Sequence, residues 1–161
     1  MSNVAQFLAE DHPTAFSFEV LPPVRGKSIE QVFRSIDRLM PFNPAYINIT
    51  THRSEVVYRE VAEGVFQRTF ERRRPGTVAI AAALKGRYGV PTVPHIICSG
   101  FSKADTENEL IDLSYLGITN LLLLRGDRAK GDNRFIPNAD GHEHAVELCR
   151  QVEAFNRGVM L

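Results

Sequence analysis

The sequence predicts an α/β fold in which parallel strands alternate with helices. Short apolar runs closed by proline, glycine or polar residues alternate with segments whose apolar residues recur at helical spacing. One run, Leu121 to Leu124, consists of four leucines, which is typical of a parallel strand buried on both faces. Alternation of this kind means parallel strands joined by right-handed crossovers.

Five segments are predicted as strands of one parallel sheet. Each is apolar or aromatic and ends at a turn-forming or polar residue, and they cover Phe16 to Leu21, Ala45 to Ile49, Thr92 to Ile97, Thr119 to Leu124 and Gly158 to Leu161. The fifth is only the start of a strand, at which the sequence ends. We expect a single domain over residues 1–161, since no linker divides the chain.

Four segments between these strands are predicted as helices. They cover Ser28 to Met40, Thr77 to Tyr88, Asp105 to Leu116 and His142 to Phe155. Ser28 and Gln31 have capping-box spacing, and Thr77 is a second candidate cap. The last helix is expected to bury an apolar stripe that consists of Ala145, Leu148, Cys149 and Val152.

Residues 55–74 allow two interpretations. Val57, Val61 and Val65 have helical spacing, but β-branched and aromatic residues dominate the segment and Glu63-Gly64 can form a turn. We favour a β-hairpin of Val56 to Glu60 with Val65 to Arg72, inserted after the second strand.

Composition excludes several classes of partner. Among the 161 residues, Lys plus Arg number 19 and Asp plus Glu number 19, so nothing favours nucleic acid or an anionic membrane surface. No stretch approaches the roughly 18 apolar residues of a membrane span. Cys98 and Cys149 have no metal-type spacing and are interpreted as reduced thiols of a cytoplasmic protein.

Polar residues lie at or near the carboxyl ends of four predicted strands. The first strand ends near Glu19, the second ends at Thr50-Thr51-His52-Arg53, the third leads to His95 and Cys98, and the fourth ends in Arg125-Gly126-Asp127. Each alone is more simply a solvated loop residue. Because the carboxyl ends of parallel strands share one rim, the four sets together predict an active site there.

Two carboxylates are the strongest catalytic candidates. Glu19 lies in an apolar strand, where partial desolvation favours the protonated form that a general acid needs; a structural ion pair with an arginine is the alternative. Asp127 follows Gly126, and a glycine there allows close approach of backbone to a ligand. The alternative for Asp127 is a turn residue that caps its own loop.

No metal or phosphate motif is convincing. His142-Glu143-His144 lacks a third ligand at suitable spacing, so we expect no metal site. Arg72-Arg73-Arg74 could hold a phosphate, but a solvated edge that discourages sheet pairing is the favoured interpretation. The sequence contains no G-x-G-x-x-G motif after a strand and no P-loop.

Three of these segments resemble one known family. Phe16-Ser17-Phe18-Glu19 followed by Pro22-Pro23, Val93 to Cys98, and Leu123-Leu124-Arg125-Gly126-Asp127 are similar, in order and separation, to motifs of methylenetetrahydrofolate reductases. The resemblance runs from about residue 14 to the end of the chain. It implies a (β/α)8 barrel of which only about the first five strands are present here. It also implies bound FAD, with NADH or NADPH as reductant and methylenetetrahydrofolate as substrate.

The resemblance also implies residue roles. Glu19 would be the general acid that opens the bridging ring of the folate, and Asp127 would lie near flavin and folate. The positions that match the family's FAD contacts are Thr50, His95, Arg125, Gly126, Asp127, His144 and Ala145. His144 stands where the family often has tyrosine. After strand 2, Thr51-His52-Arg53 and about twenty extra residues replace the family's short turn.

Two other functions fit a parallel barrel with an acidic rim. One is a folate- or corrinoid-dependent methyltransferase, which bound flavin would argue against. The other is a non-enzymatic half-barrel that binds a partner. Because five strands leave a barrel unclosed, we expect either a homo-oligomer or association with a missing C-terminal half.

Overall fold

The computed structural model describes residues 3–129 and 131–159. In chain order the helices and strands are α1 (Val4–Ala9), β1 (Ser17–Val20), α2 (Glu30–Leu39), a 3₁₀-helix (Met40–Phe42), β2 (Tyr46–Ile49), β3 (Glu55–Ala62), β4 (Val65–Glu71), α3 (Thr77–Tyr88), β5 (Thr92–Ile97), α4 (Lys103–Tyr115), β6 (Leu122–Leu124) and α5 (Ala145–Val159). None of the helices in these residues is long and apolar enough to cross a membrane. The α/β class predicted from the sequence is confirmed.

Four of the strands form a parallel sheet in the order β1-β2-β5-β6. Glu19 of β1 is in register with Asn48 of β2, and His95 of β5 is in register with Leu122 of β6. Each strand therefore pairs with the sheet strand that precedes it in the chain. Their carboxyl ends lie along a single edge, as a parallel α/β fold requires.

The two faces of the sheet differ in what covers them. One, the helix-covered face, contributes Val20, Ile47, Ile49 and Ile96 to a core completed by buried side chains of α2, α3, α4 and α5. Side chains alternate along a strand, so their neighbours point the other way. We name this second side the open face; it carries Glu19, Asn48, His95, Ile97, Leu122 and Leu124.

The leucine-rich strand is shorter and less buried than predicted. β6 begins at Leu122 rather than at Thr119, and Leu122 and Leu124 are 40% and 38% exposed. Leu121 and Leu123 pack against the core on the helix-covered side. The prediction of burial on both faces is therefore wrong, because only one face of β6 is covered by the described residues.

Residues 55–74 form the antiparallel hairpin favoured by the sequence, and the helical alternative is wrong. β3 and β4 pair Val56 with Phe70 and Tyr58 with Arg68. Gly64, with φ of 74°, forms the turn, and its N–H donates to the Glu60 carboxylate at 2.9 Å. That the hairpin is an insertion relative to the family stays a prediction.

Ion pairs attach the base of the hairpin to the rest of the fold. Arg73 lies 3.4 Å from Glu55 and 3.7 Å from Glu71, and Arg25 lies 2.8 Å from Glu71. A backbone hydrogen bond of 2.7 Å from Arg25 N–H to the Arg73 carbonyl adds to them. Arg74 donates to the Pro22 carbonyl. The arginine run is solvated at Arg72 and Arg73, as predicted, and it also makes contacts within the fold.

Helix starts depart from the predicted caps. Thr77 lies inside α3, where it is buried with its hydroxyl unpartnered among the described residues, and Gly76 occupies the N-cap. Ser28 accepts from the Glu30 N–H at 3.2 Å, without the reciprocal contact of a capping box with Gln31. α4 has the capping box instead: it begins at Lys103, and Ser102 and Asp105 bond each other's backbone N–H. Local spacing alone did not distinguish these candidates.

The last helix replaces the predicted fifth strand in part. α5 begins three residues later than predicted and runs through Gly158 and Val159, so the strand prediction is wrong there. Met160 and Leu161, which complete that prediction, lie outside the described residues. Leu148 is buried and Val152 packs against the core, as predicted for the apolar stripe. Cys149 is exposed and therefore does not belong to that stripe.

Candidate active site

A cavity of about 1240 Å³ lies at the carboxyl edge of the sheet. Its walls are the ends of β1, β2, β5 and β6 with the loops after them, one side of the hairpin, and the start of α5. The residues with predicted catalytic or FAD-binding roles all line it: Glu19, Thr50, His95, Arg125, Gly126, Asp127, His144 and Ala145. The fold therefore brings the predicted site residues together.

Glu19 of β1 and His95 of β5 lie on either side of β2, and their side chains approach each other on the open face. A Glu19 carboxylate oxygen lies 3.9 Å from His95 Nε2, beyond hydrogen-bond distance. The Glu19 side chain is 60% exposed within the part of the chain that the structure describes. The prediction that this carboxylate is partly desolvated is therefore wrong there. The side chain extends from the open face at an edge strand of the sheet. Its neighbour is a histidine rather than the arginine considered from the sequence.

His95 is buried on the cavity wall. Burial lowers the pKa of His95, and the Glu19 carboxylate opposes this only in part. The imidazole is therefore neutral at pH 7, and its contact with Glu19 is not a full ion pair. Its Nε2 is buried without a hydrogen-bond partner among the described residues, which leaves an unmet polar group at the site.

The end of β2 is tied to both neighbouring strands. The Thr50 hydroxyl donates to the Val20 carbonyl at 3.3 Å, and the Thr51 hydroxyl donates to the His95 carbonyl. Burial and then the charge of Arg74 lower the pKa of His52, against the opposing effect of Asp127 and Glu55. These contacts hold the β2 loop in place above the open face.

Ser99 links three of the loops and was missed from the sequence. Its hydroxyl donates to the Asp127 carbonyl at 2.6 Å and accepts from Arg53 Nη1 at 3.2 Å. The prediction that Cys98 lies at this rim is wrong. Cys98 packs in the helix-covered core, where burial raises the pKa of its thiol. Alternation from His95 was the signal, since positions 95, 97 and 99 share a face.

Gly126 is required by the packing of two strands. Its φ of +79° lies in the left-handed region, and a Cβ there would come within 3.0 Å of Ser99 and 3.1 Å of Ile97. The close approach is thus to Ile97 of β5 and to Ser99 just beyond it, and an approach of the Gly126 backbone to a ligand stays a prediction. The close approach to β5 brings Arg125 and Asp127, both exposed, to the cavity wall.

The far wall is the start of α5. Glu147 accepts from the backbone N–H of Glu143 at 2.8 Å and of His144 at 3.2 Å, which lowers the pKa of Glu147. The helix N-terminus is therefore satisfied from within. His144 and Ala145 reach the cavity beside it.

The residues considered for a metal do not converge. Within the ranges 3–129 and 131–159, no group of three or more histidine, cysteine or acidic residues could hold an ion. His142 Nε2 instead lies 2.7 Å from the Gln151 side-chain oxygen.

The hairpin forms one wall of the cavity, which the sequence does not predict. Val56 and Tyr58 of β3 and Arg68 of β4 line the cavity. All three lie on the same side of the hairpin, because cross-strand partners share a side and side chains alternate along each strand. The β-branched and aromatic residues of this segment predict its two strands, but they do not predict which side of the hairpin faces the cavity.

Comparison with known proteins gives a consistent result. The family model described as methylenetetrahydrofolate reductase matches residues 4–159. The chain is 28% identical over 146 residues to methylenetetrahydrofolate reductase (NADH) 1 of Zea mays, covering 91% of this chain and 22% of that protein. It is 26% identical over 118 residues to the 5,10-methylenetetrahydrofolate reductase of Escherichia coli strain K12, covering 73% and 34%.

A third relative shows a similar pattern. The 5,10-methylenetetrahydrofolate reductase of Pectobacterium carotovorum is 29% identical over 111 residues, covering 69% of this chain and 32% of that protein. The chain thus spans about a fifth of the length of the plant relatives and a third of the bacterial ones.

Proposed function

The chain belongs to the methylenetetrahydrofolate reductase family, and on that premise we propose that it is part of a flavin-dependent oxidoreductase. The reaction proposed is reduction of 5,10-methylenetetrahydrofolate to 5-methyltetrahydrofolate. The observation that carries the proposal is the convergence of Glu19, Asp127 and His95 on one cavity at the carboxyl edge of a parallel sheet.

The cavity is suited to a flavin and a second ligand. Its volume of about 1240 Å³ exceeds the roughly 300–1,000 Å³ usual for one small-molecule site. The unpartnered, buried Nε2 of His95 marks a polar position that a ligand could satisfy. We assign FAD contacts to Thr50, His95, Arg125, Gly126, Asp127, His144 and Ala145.

The two carboxylates fit the needs of the substrate. The methylene bridge becomes electrophilic when its ring opens, which breaks a carbon–nitrogen bond and requires a proton on the departing nitrogen. Glu19, accessible from the cavity, is the proposed donor. The negative charge of Asp127 favours the cationic folate that ring opening creates. When bound, FAD supplies the hydride chemistry, and NADH or NADPH is the reductant.

We further propose that the four-stranded sheet is the first part of a (β/α)8 barrel. Its strand order follows the chain and its core helices cover one face, which is the arrangement of strands and helices in such a barrel. The open face would then be closed by the rest of a longer protein or by a second copy. A cytoplasmic location stays a prediction.

A spectrum and a turnover assay test the function together. Protein containing this chain is incubated with FAD and desalted. It should then absorb at about 450 nm, and it should oxidise NADH or NADPH only with an acceptor present. Methylenetetrahydrofolate should serve as that acceptor. A protein that retains no flavin but transfers a methyl group from folate would instead support the methyltransferase interpretation.

A further inference from the structure

The hairpin presents one side to the cavity. Its register pairs Tyr58 with Arg68 and Val56 with Phe70, so these four side chains share a side. Three of them, Val56, Tyr58 and Arg68, line the cavity wall. Of the alternate positions, Glu55 at the base of the hairpin also reaches the cavity, whereas Arg59 and Gln67 are not among the residues that line it.

The attachments of the hairpin do not involve the side chains of Val56, Tyr58 or Arg68. Glu55 and Glu71 are cross-strand partners on the opposite side, and they bind Arg73 and Arg25 at the base. Surface ion pairs contribute little individually, but here several of them act with a backbone hydrogen bond between Arg25 and Arg73. The ion pairs at its base thus fix the hairpin, and Val56, Tyr58 and Arg68 face the cavity.

The side of the hairpin that carries Val56, Tyr58, Arg68 and Phe70 exposes two aromatic rings to solvent. Tyr58 is 65% exposed and Phe70 is 62% exposed. Large aromatic rings left exposed beside a cavity are a common feature of ligand-binding surfaces.

Arg68 differs from the other arginines of this cavity in its contacts. Arg53 donates to Ser99, and Arg128 donates to the Asn133 carbonyl at 3.1 Å. Arg125 lies 5.1 Å from the centre of the Phe135 ring and donates to the Gly126 carbonyl.

The Arg68 side chain makes no hydrogen bond or ion pair within the part of the chain that the structure describes. Its guanidinium lies 5.2 Å from the centre of the Phe70 ring. Stacking of this kind orients the guanidinium and leaves its five N–H donors for a ligand.

We propose that Arg68 binds an anionic group of the ligand in this cavity and that Tyr58 packs against the planar part of the same ligand. A guanidinium fork matches paired anionic oxygens. Two sources in the proposed reaction carry such oxygens next to planar rings: the diphosphate of a dinucleotide and the glutamate carboxylates of a folate. The inference rests on the proposed function and names a ligand-binding residue for it.

The test compares Arg68→Ala with Arg59→Ala, a matched control on the opposite side of the same hairpin. Binding of FAD, of NADH and of 5-methyltetrahydrofolate is measured separately by calorimetry on protein containing this chain. Arg68→Ala should weaken at least one of the three by about tenfold or more, since a charge-assisted pair is lost. Arg68→Lys should restore part of the affinity, and Arg59→Ala should change none of the three by more than about twofold.

The pattern of losses identifies the anion. Weaker FAD or NADH binding assigns Arg68 to a diphosphate, whereas weaker folate binding alone assigns it to carboxylates. Tyr58→Ala should weaken the same ligand. If the unaltered protein binds its ligands and Arg68→Ala matches Arg59→Ala for all three, the inference is overturned while the proposed function stands. If the unaltered protein binds none of the three, the proposed function fails and the inference with it.

Discussion

The two faces of the parallel sheet are built from similar residues but have different surroundings. Ile47, Ile49 and Ile96 on the helix-covered face are at most 1% exposed. On the open face, Leu122 and Leu124 of the edge strand β6 are about two-fifths exposed and line the cavity, whereas Ile97 of the inner strand β5 is 6% exposed. Apolar residues in the sequence predict a strand, but the elements packed against the sheet determine which of its faces belongs to the core. Stability and chemistry therefore lie on opposite sides of the same strands.

The largest expected effect contrasts one substitution on each face. Ile49→Ala should lower the free energy of unfolding by about 2–5 kcal/mol, because it leaves a cavity in a fully buried site. Leu122→Ala should cost less than about 1 kcal/mol, because its side chain is already partly exposed. Urea denaturation of both variants, at several protein concentrations, measures the difference. Equal losses would break the comparison and show that something covers the open face in solution.

The second effect separates activity from stability. Glu19→Gln should slow the folate step by roughly 10²-fold or more, because the proton for ring opening is lost. Flavin binding and nicotinamide oxidation with an artificial acceptor should remain, and the melting temperature should barely change, since the side chain is 60% exposed. Steady-state rates with the two acceptors give the measurement. Folate turnover equal to that of the parent would remove Glu19 from the mechanism.

The smallest effect concerns a carboxyl on the helix side of the sheet. Burial raises the pKa of Glu109 in α4 from an ordinary value of 4.5 to about 7, despite the nearby Arg72. Because the folded pKa is the higher one, stability is full below about pH 4.5 and is lost as the pH rises to about 7. Glu109→Gln should thus stabilise the protein by roughly 1–3 kcal/mol at pH 8 and hardly at all at pH 4.5.

Thermal unfolding of parent and Glu109→Gln variant across this pH range checks the prediction. A constant difference between the two proteins would mean that the Glu109 carboxyl does not titrate abnormally. Glu19 and Glu109 would then no longer contrast as an accessible and a buried carboxyl.

Much of the site could be predicted because it depends on strand direction alone. Once Thr92 to Ile97 is recognised as a parallel strand, His95 must lie near residues that end the neighbouring strands. That Ser99 rather than Cys98 lies at the cavity could not be predicted, because it depends on which side of β5 the helices cover.

Other features depended on contacts between distant segments. The side of the hairpin that meets the cavity depends on the ion pairs of Arg25 and Arg73 with Glu71, which no local pattern reveals. The end of α5 was missed because Gly158 continues the helix there, although glycine is a common helix terminator.

The strand order β1-β2-β5-β6 has a consequence for how the chain folds during synthesis. Each sheet strand pairs with the one made before it, so its partner has already left the ribosome when it emerges. Parallel pairings such as Ile47 with Thr92 nevertheless join residues far apart in the sequence, which slows their formation. The hairpin lengthens only the connection from β2 to β5, and the entropic cost of a longer connection rises by just about 0.6 kcal/mol per doubling. New segments can therefore be acquired at the rim with little effect on the assembly of the sheet beneath.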